Sequence, residues 1–368
     1  MTNKNSANEE KKLEKKLASI DQWLDEISHV KSVEPKKHKN RPPRHKAQQK
    51  AHKPQRKPVV QQKPHQKPPR RKKPMHHKVP QGSSKKNLRI IPLGGFEEVG
   101  KNMMLFEYGN DILIVDMGFQ FPTEDMLGVD YVIPDISYLE KKKKNIRGVF
   151  LTHGHLDHIG GIPYLLPRLG YPPVFGTALT LGLVERQLAD FKIKDATKLH
   201  VFKPGDKLRF GAFKVSSFGV NHSIPDAVSC VIDTPLGRVV HTGDFKFDKT
   251  PYAQKPADLN IIKNVGRQGV LAMISDSTNS LVPGHTTSEK VIAQNLDKLV
   301  RDTKGRIIVA SFSSLIGRLQ QVMDAAVRYN RKVFISGRSM ITNVKIAQNL
   351  GYIKVPQGVI IDIKKMKK

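Results

Sequence analysis

Thr152-His153-Gly154-His155-Leu156-Asp157-His158 packs three histidines and one aspartate into a few positions. A continuous helix would spread these side chains around its surface, and a strand would divide them between two faces. A tight loop turns them inward onto one point. The flanks fit a loop: Gly148-Val149-Phe150-Leu151 reads as a buried strand, and Ile159-Gly160-Gly161-Ile162 opens a helix with two flexible residues. Neutral imidazoles and a carboxylate are the ligands that Zn²⁺ takes where one coordination position stays open for water. A merely His-rich polar turn is the competing reading, and the H-x-H-x-D-H spacing is too demanding to favour it.

Working outward, the apolar runs on both sides read as strands. Leu88 to Leu93, Met103 to Tyr108 and Asp111 to Asp116 come before the loop, with Gly94-Gly95 as a tight turn. Asp116 ends its strand beside Met117-Gly118, where a carboxylate can brace a metal ligand; taken alone, such an Asp is more often a turn residue. Helices are expected over Ile162 to Leu169 and Ala178 to Phe191. Strands follow at Leu199 to Phe202, Phe213 to Val215 and Val228 to Ile232. His222, in Phe218-Gly219-Val220-Asn221-His222-Ser223-Ile224-Pro225-Asp226, and Asp244, after Val239-Val240-His241-Thr242-Gly243, each sit where a strand gives way to a loop. With the histidine loop they supply enough ligands for two metals. Cys230 is the only cysteine and falls in the apolar run Ala227 to Ile232, which predicts a core residue, no disulfide framework and a reducing compartment.

The charge is divided unevenly. Through Lys86 there are 25 Lys and Arg against 7 Asp and Glu, and after it 38 against 26. Residues 8–30 carry a heptad-like stripe of Leu13, Leu17, Ile20, Leu24 and Ile27, which reads as a marginal helix or a short docking helix. From Pro35 to Lys86 acidic residues vanish and Pro, Lys, Arg, His and Gln dominate, so no core can form and an extended, disordered tail is expected. Its cations suit phosphates without reading sequence, or serve only as a solubilising tail. Neither a signal peptide nor a membrane-spanning apolar run is read, so the expectation is a cytoplasmic protein with a polyanionic partner, nucleic acid ahead of membrane.

The order of these features resembles the metallo-β-lactamase superfamily. Further segments resemble bacterial ribonuclease J, of the β-CASP nucleases: Pro92-Leu93-Gly94-Gly95 with Gly100-Lys101-Asn102, Gly128 to Asp135, His222-Ser223-Ile224-Pro225-Asp226, His241 to Lys246, Ser275 to Asn279, and Gly337-Arg338-Ser339-Met340. The resemblance covers about residues 88 to 362. It implies an α/β fold: a metallo-β-lactamase αββα sandwich at 87–285, the first part of an inserted β-CASP domain at 286–368, and the basic tail at 1–86. Within the insert, helices are predicted from Val291, Ile316 and Thr342, and strands at Arg306 to Ala310, Lys332 to Ile335 and Val359 to Ile361. Family members continue past this point, so the chain resembles a ribonuclease J ending inside its inserted domain.

The resemblance also implies chemistry. His153, His155 and His222 would hold one Zn²⁺, and Asp157, His158 and Asp244 the other, with Asp244 bridging and Asp116 bracing the loop. Asp157 and His158 carry the catalytic expectation. Asp276 is expected near the site in a structural role. Phe312, Ser313 and Ser314 would form a substrate-binding turn for RNA, although Ser313 or Ser314 would serve equally as the N-cap of the helix from Ile316. Arg318 is expected as a solvated helix arginine. The implied activity is 5′-to-3′ exonuclease and endonuclease cleavage of RNA in mRNA decay and rRNA processing. The implied partners are RNA, a homodimer or tetramer of the full-length protein, and RNA-decay or ribosome partners through the tail. Two other readings stand beside it: a catalytically inactive RNA- or partner-binding fragment, and a small-molecule metallo-hydrolase.

Overall fold

The computed structural model describes residues 87–193 and 198–362. The tail, the 8–30 helix and residues 363–368 lie outside the described residues. In chain order the elements are β1 (Leu88–Gly94), β2 (Met103–Tyr108), β3 (Asp111–Val115), α1 (Ser137–Glu140), β4 (Ile146–Phe150), α2 (Leu156–Ile159), α3 (Ile162–Leu165), β5 (Val174–Gly176), α4 (Ala178–Asp190), β6 (Leu199–Val201), β7 (Leu208–Phe210), β8 (Phe213–Gly219), β9 (Val228–Thr234), β10 (Gly237–His241), α5 (Leu259–Arg267), β11 (Ala272–Ile274), α6 (Glu289–Asp302), α7 (Ile316–Arg328), β12 (Val333–Phe334), α8 (Arg338–Leu350) and β13 (Ile360–Ile361).

Two sheets form the sandwich. One runs β1-β2-β3-β4-β5-β6, antiparallel as far as β3 and parallel from β3 to β6. The other runs β11-β10-β9-β8-β7, antiparallel except for the β10–β11 pair. Side chains alternate between faces along each strand. Thus Met104, Phe106, Leu113, Val115 and Phe150 meet Phe210, Phe213, Val215, Cys230 and Ile232 between the sheets. Met103, Leu105, Ile112, Ile114 and Val149 face the other way, into a second cluster. Both faces of β2 and β3 are therefore buried, which is why Met103 to Phe106 and Ile112 to Val115 read as continuous apolar runs. Fully burying each of these large side chains stabilises by about 1.5–3 kcal/mol. Cys230 is a fully buried core residue, and burial pushes its thiol pKa up.

The second cluster continues through α4 into the C-terminal elements, taking in Ile316, Leu319 and Met323 from α7 and Val344, Ile346 and Ala347 from α8. Gly182 on α4 allows this close approach: a Cβ there would lie 3.0 Å from the Ile346 side chain. β12 and β13 pair in parallel, as strands separated by a helix should.

Three expectations are corrected. Arg306 to Ala310 forms no strand, since none of the described residues pairs with it, and Ile308 is 91% exposed. The helix expected from Ile162 is one α-turn followed by a 3₁₀ turn, because Pro167 has no N–H with which to continue it. Gly160 and Gly161 have ordinary helical φ values of −67° and −78°, so flexibility is not their use. They are small because a Cβ at Gly160 would meet the Phe119 ring at 2.1 Å, and one at Gly161 the Gly118 carbonyl oxygen at 2.6 Å.

Candidate metal centre

The histidine stretch divides between a loop and a helical turn. β4 ends at Phe150, Thr152 to His155 form the loop, and α2 carries Asp157 and His158. His155 itself is the N-cap residue, with an extended backbone. Three backbone hydrogen bonds clamp α2 from outside: Asn102 N–H donates to the Asp157 carbonyl (3.0 Å), Met117 N–H to that of His158 (2.7 Å), and Phe119 N–H to that of Leu156 (3.2 Å). Gly118 lies in the middle of this clamp, where a Cβ would fall 1.6 Å from the Asp157 carbonyl oxygen. Gly118→Ala should therefore push α2 away. Overpacking of about 1–3 kcal/mol corresponds to a melting temperature lower by roughly 2–12 °C, measurable by calorimetry. An unshifted melting curve would show that the turn yields easily.

Three histidines converge. His153 Nε2 lies 3.1 Å from His155 Nδ1, and His222 Nε2 lies 3.1 Å from the same atom. Burial holds the His153 pKa well below the ordinary imidazole range, with His158 and His155 adding to the effect; burial and His222 lower that of His155 to about 3, and burial lowers that of His222. Three desolvated neutral rings with facing nitrogens fit a metal ion and little else. Ser223 Oγ stands 3.3 Å from His155 Nε2, and Thr152 Oγ 3.1 Å from His153 Nδ1.

A second group shares His153. The ligand atoms of His153, His158 and Asp244 lie within 4.8 Å of one another, as do those of His153, His155 and His222. His158 Nε2 is 3.3 Å from Asp244 Oδ1 and 3.5 Å from Asp157 Oδ2. Its other nitrogen, Nδ1, lies 2.8 Å from Asp116 Oδ2. Burial alone would lower the pKa of this ring, but Asp116 and Asp244 outweigh burial and raise it well above the usual range. The same field that favours a proton here favours any cation. Asp244 responds in kind: His158 overrides burial and depresses its carboxyl pKa.

Asp116 is 1% exposed and has a left-handed φ of 60°, which Asp tolerates better than most residues. Its carboxylate accepts from Thr152 N–H and Thr152 Oγ–H, both at 2.8 Å, as well as facing His158. Asp276 accepts weakly from Phe245 N–H (3.5 Å), just beyond Asp244, and its own N–H donates to Thr242 Oγ (3.0 Å). A cavity of about 660 Å³ opens onto Asp157, His158 and Asp244 between the Gly95 to Gly100 turn and Ser275 to Thr278.

Phe312, Ser313 and Ser314 precede α7 and do not join the histidine cluster. Phe312 is 77% exposed, and Asn343 Nδ2 donates to the Ser313 carbonyl and Oγ, both at 3.2 Å. Neither serine caps α7 through its side chain; the N-cap position is Leu315. Arg318 is not a free, solvated side chain either: it is half-buried and pairs with Glu289 at 3.3 Å, while Lys246 pairs with the same glutamate at 2.8 Å. Leu315 and Arg318 share a small cavity of about 30 Å³ with His222 and Ser223. Asn102, missed as a site residue by the sequence reading, places Nδ2 3.4 Å from Asp157 Oδ2 and 3.2 Å from His158 Nε2. The only signal for it was its place in the Gly100-Lys101-Asn102 run.

Known proteins resemble this chain over most of its length. The metallo-beta-lactamase superfamily profile matches residues 97–308, more than half of the chain, and the profile of the ribonuclease J beta-CASP domain matches residues 304–368. Ribonuclease J of Thermus thermophilus is 44% identical over 281 residues, covering 75% of this chain and 49% of that protein. Ribonuclease J2 of Bacillus subtilis is 42% identical over 282 residues, covering 77% and 51%. Ribonuclease J of Synechocystis is 41% identical over 278 residues, covering 75% and 43%. The chain thus spans about half the length, or less, of these relatives. A crystal structure of an Enterococcus faecalis protein of unknown function superposes with a TM-score of 0.55 at 15% identity, over 76% of this chain and 74% of that one, a likeness of fold alone. With the motif, the sandwich and these matches in agreement, the chain belongs to the metallo-β-lactamase superfamily and, within it, to the ribonuclease J family.

Proposed function

We propose that this chain carries the phosphodiester-cleaving centre of a zinc-dependent ribonuclease of the ribonuclease J type. The observation that carries the reading is the pair of ligand groups meeting at His153 beside an open cavity. His153, His155 and His222 would hold one ion; His158, Asp244 and Asp157 would serve the second, with Asp244 near enough to His153 and His222 to lie between the two. When bound, Zn²⁺ makes water acidic enough to supply a nucleophile near neutral pH and offsets charge on phosphoryl oxygens. The protein's own part is orientation. Asp116 and Thr152 fix the His158 ring, and Asn102 steadies Asp157, whose carboxylate can orient a water or accept its proton. Phe312, with its exposed ring, and the adjacent serines are proposed to receive RNA, the ring by stacking on a base. As part of the same proposal, residues 87–285 are the lactamase domain and 286–368 belong to the inserted domain.

The test is labelled single-stranded RNA bearing either a 5′-monophosphate or a 5′-triphosphate, incubated with the protein and with an Asp157→Ala, His158→Ala variant. Zn²⁺-dependent cleavage that prefers the monophosphate and disappears in the variant is expected. Cleavage that survives the double replacement, or that an excess of chelator leaves unchanged, would place the chemistry elsewhere.

A further inference from the structure

The loop that presents His222 is fastened at its far end by a residue from the C-terminal elements. It leaves β8 after Gly219 and enters β9 at Val228, and Val220 N–H closes it by donating to the Ala227 carbonyl at 3.0 Å. Asp226 makes the last turn with a left-handed φ of 67°. Its carbonyl accepts from Thr177 Oγ at 3.1 Å, and its carboxylate accepts a longer bond from Leu179 N–H at 3.4 Å, both at the start of α4. The same carboxylate oxygen accepts a hydrogen bond from the Tyr352 hydroxyl. Midway along the loop, Ile224 is 1% exposed and lies under Gly154, where a Cβ would approach its Cδ1 at 3.3 Å. Asp226 and His222 thus share one short loop, and Ile224 packs that loop against the His153–His155 turn.

Tyr352 is itself held firmly. It follows Gly351, the left-handed end of α8, and its N–H returns to the Ala347 carbonyl at 2.7 Å. Two residues on, Lys354 is tied to Gln320 of α7 by paired hydrogen bonds: Lys354 N–H donates to Gln320 Oε1 (2.7 Å), and Gln320 Nε2 donates to the Lys354 carbonyl (2.9 Å). The phenol thus arrives at Asp226 from a prebuilt corner. Burial raises the Asp226 carboxyl pKa and the Tyr352 phenol pKa.

We propose that Tyr352 is a positioning residue for His222, acting through Asp226, so that its hydroxyl sets the geometry and affinity of the three-histidine metal group. This rests on the metal reading given above. Removing one hydroxyl leaves the ring packed and leaves Asp226 to Thr177 and the long bond from Leu179 N–H. Loss of a group that orients a ligand typically costs about 10–100-fold in metal affinity.

The experiment measures Co²⁺ binding to the purified protein by its visible absorption spectrum and by competition with a chelator. Tyr352→Phe should weaken Co²⁺ binding about 10–100-fold and alter the spectrum of the bound ion. Asp226→Asn retains an oxygen able to accept from Tyr352 and should behave like the parent. Gln320→Ala controls for loosening of the C-terminal corner without touching Asp226, and should change affinity less than Tyr352→Phe does. Tyr352→Phe with parental affinity and spectrum would overturn the proposal, as would an equal loss in Gln320→Ala. A parent protein that takes up no Co²⁺ would instead overturn the metal reading, so the two failures are distinguishable.

Discussion

On the proposed reading, protein carrying His155→Ala should lose bound metal and RNA cleavage together. His155 Nδ1 is the atom that both His153 Nε2 and His222 Nε2 approach at 3.1 Å, so its removal takes out the centre of the group and not its edge. Losing a residue that merely orients a ligand costs about 10–100-fold in affinity or activity, and losing the ligand itself should exceed that. Elemental analysis after dialysis should show less than half of the parental zinc, with cleavage reduced by more than about 100-fold. Folding should survive, because the ring's partners are other site residues and not the apolar core. The fold of the variant is checked by circular dichroism. Full zinc content in His155→Ala would dissolve the assignment of this group.

The second large effect is on stability. Asp116→Ala would leave Thr152 N–H and its hydroxyl without their acceptor, and His158 without its nearest carboxylate, all in a buried setting. Removing one partner of a buried, hydrogen-bonded pair costs about 3–5 kcal/mol. Alanine also fits the left-handed φ of 60° poorly. For a body of this size each kcal/mol moves the melting temperature by about 2–4 °C, so a fall of roughly 10 °C or more is expected in calorimetry. Asp116→Asn should fall less, since asparagine tolerates that backbone and keeps an acceptor for Thr152. An alanine variant as stable as the parent would mean that His158 is secured by other means.

Much of this was legible in the sequence because the relevant signals are local. β2 and β3 read as strands since both of their faces are buried, and the histidine spacing points to the cluster that the fold brings together. Asp116, His222 and Asp244 were visible as polar residues at strand ends. What escaped were properties of approach. Asn102 reaches Asp157 and His158 across more than fifty residues of chain, and no spacing encodes that. Gly160 and Gly161 looked like flexible punctuation, yet they mark contact with Phe119 and Gly118. Arg306 to Ala310 has strand composition, but a strand exists only where a partner offers a ladder. Arg318 looked like a surface cation until Glu289 arrived from another helix.

Cys230 stands between the two sheets, beneath the strands that position the site. As the only thiol in the chain, and fully buried, it is shielded from an alkylating reagent while those sheets stay packed. Its modification would therefore keep time for the opening of the sandwich: a single label, counted once per molecule, that records how often the floor beneath the histidines gives way.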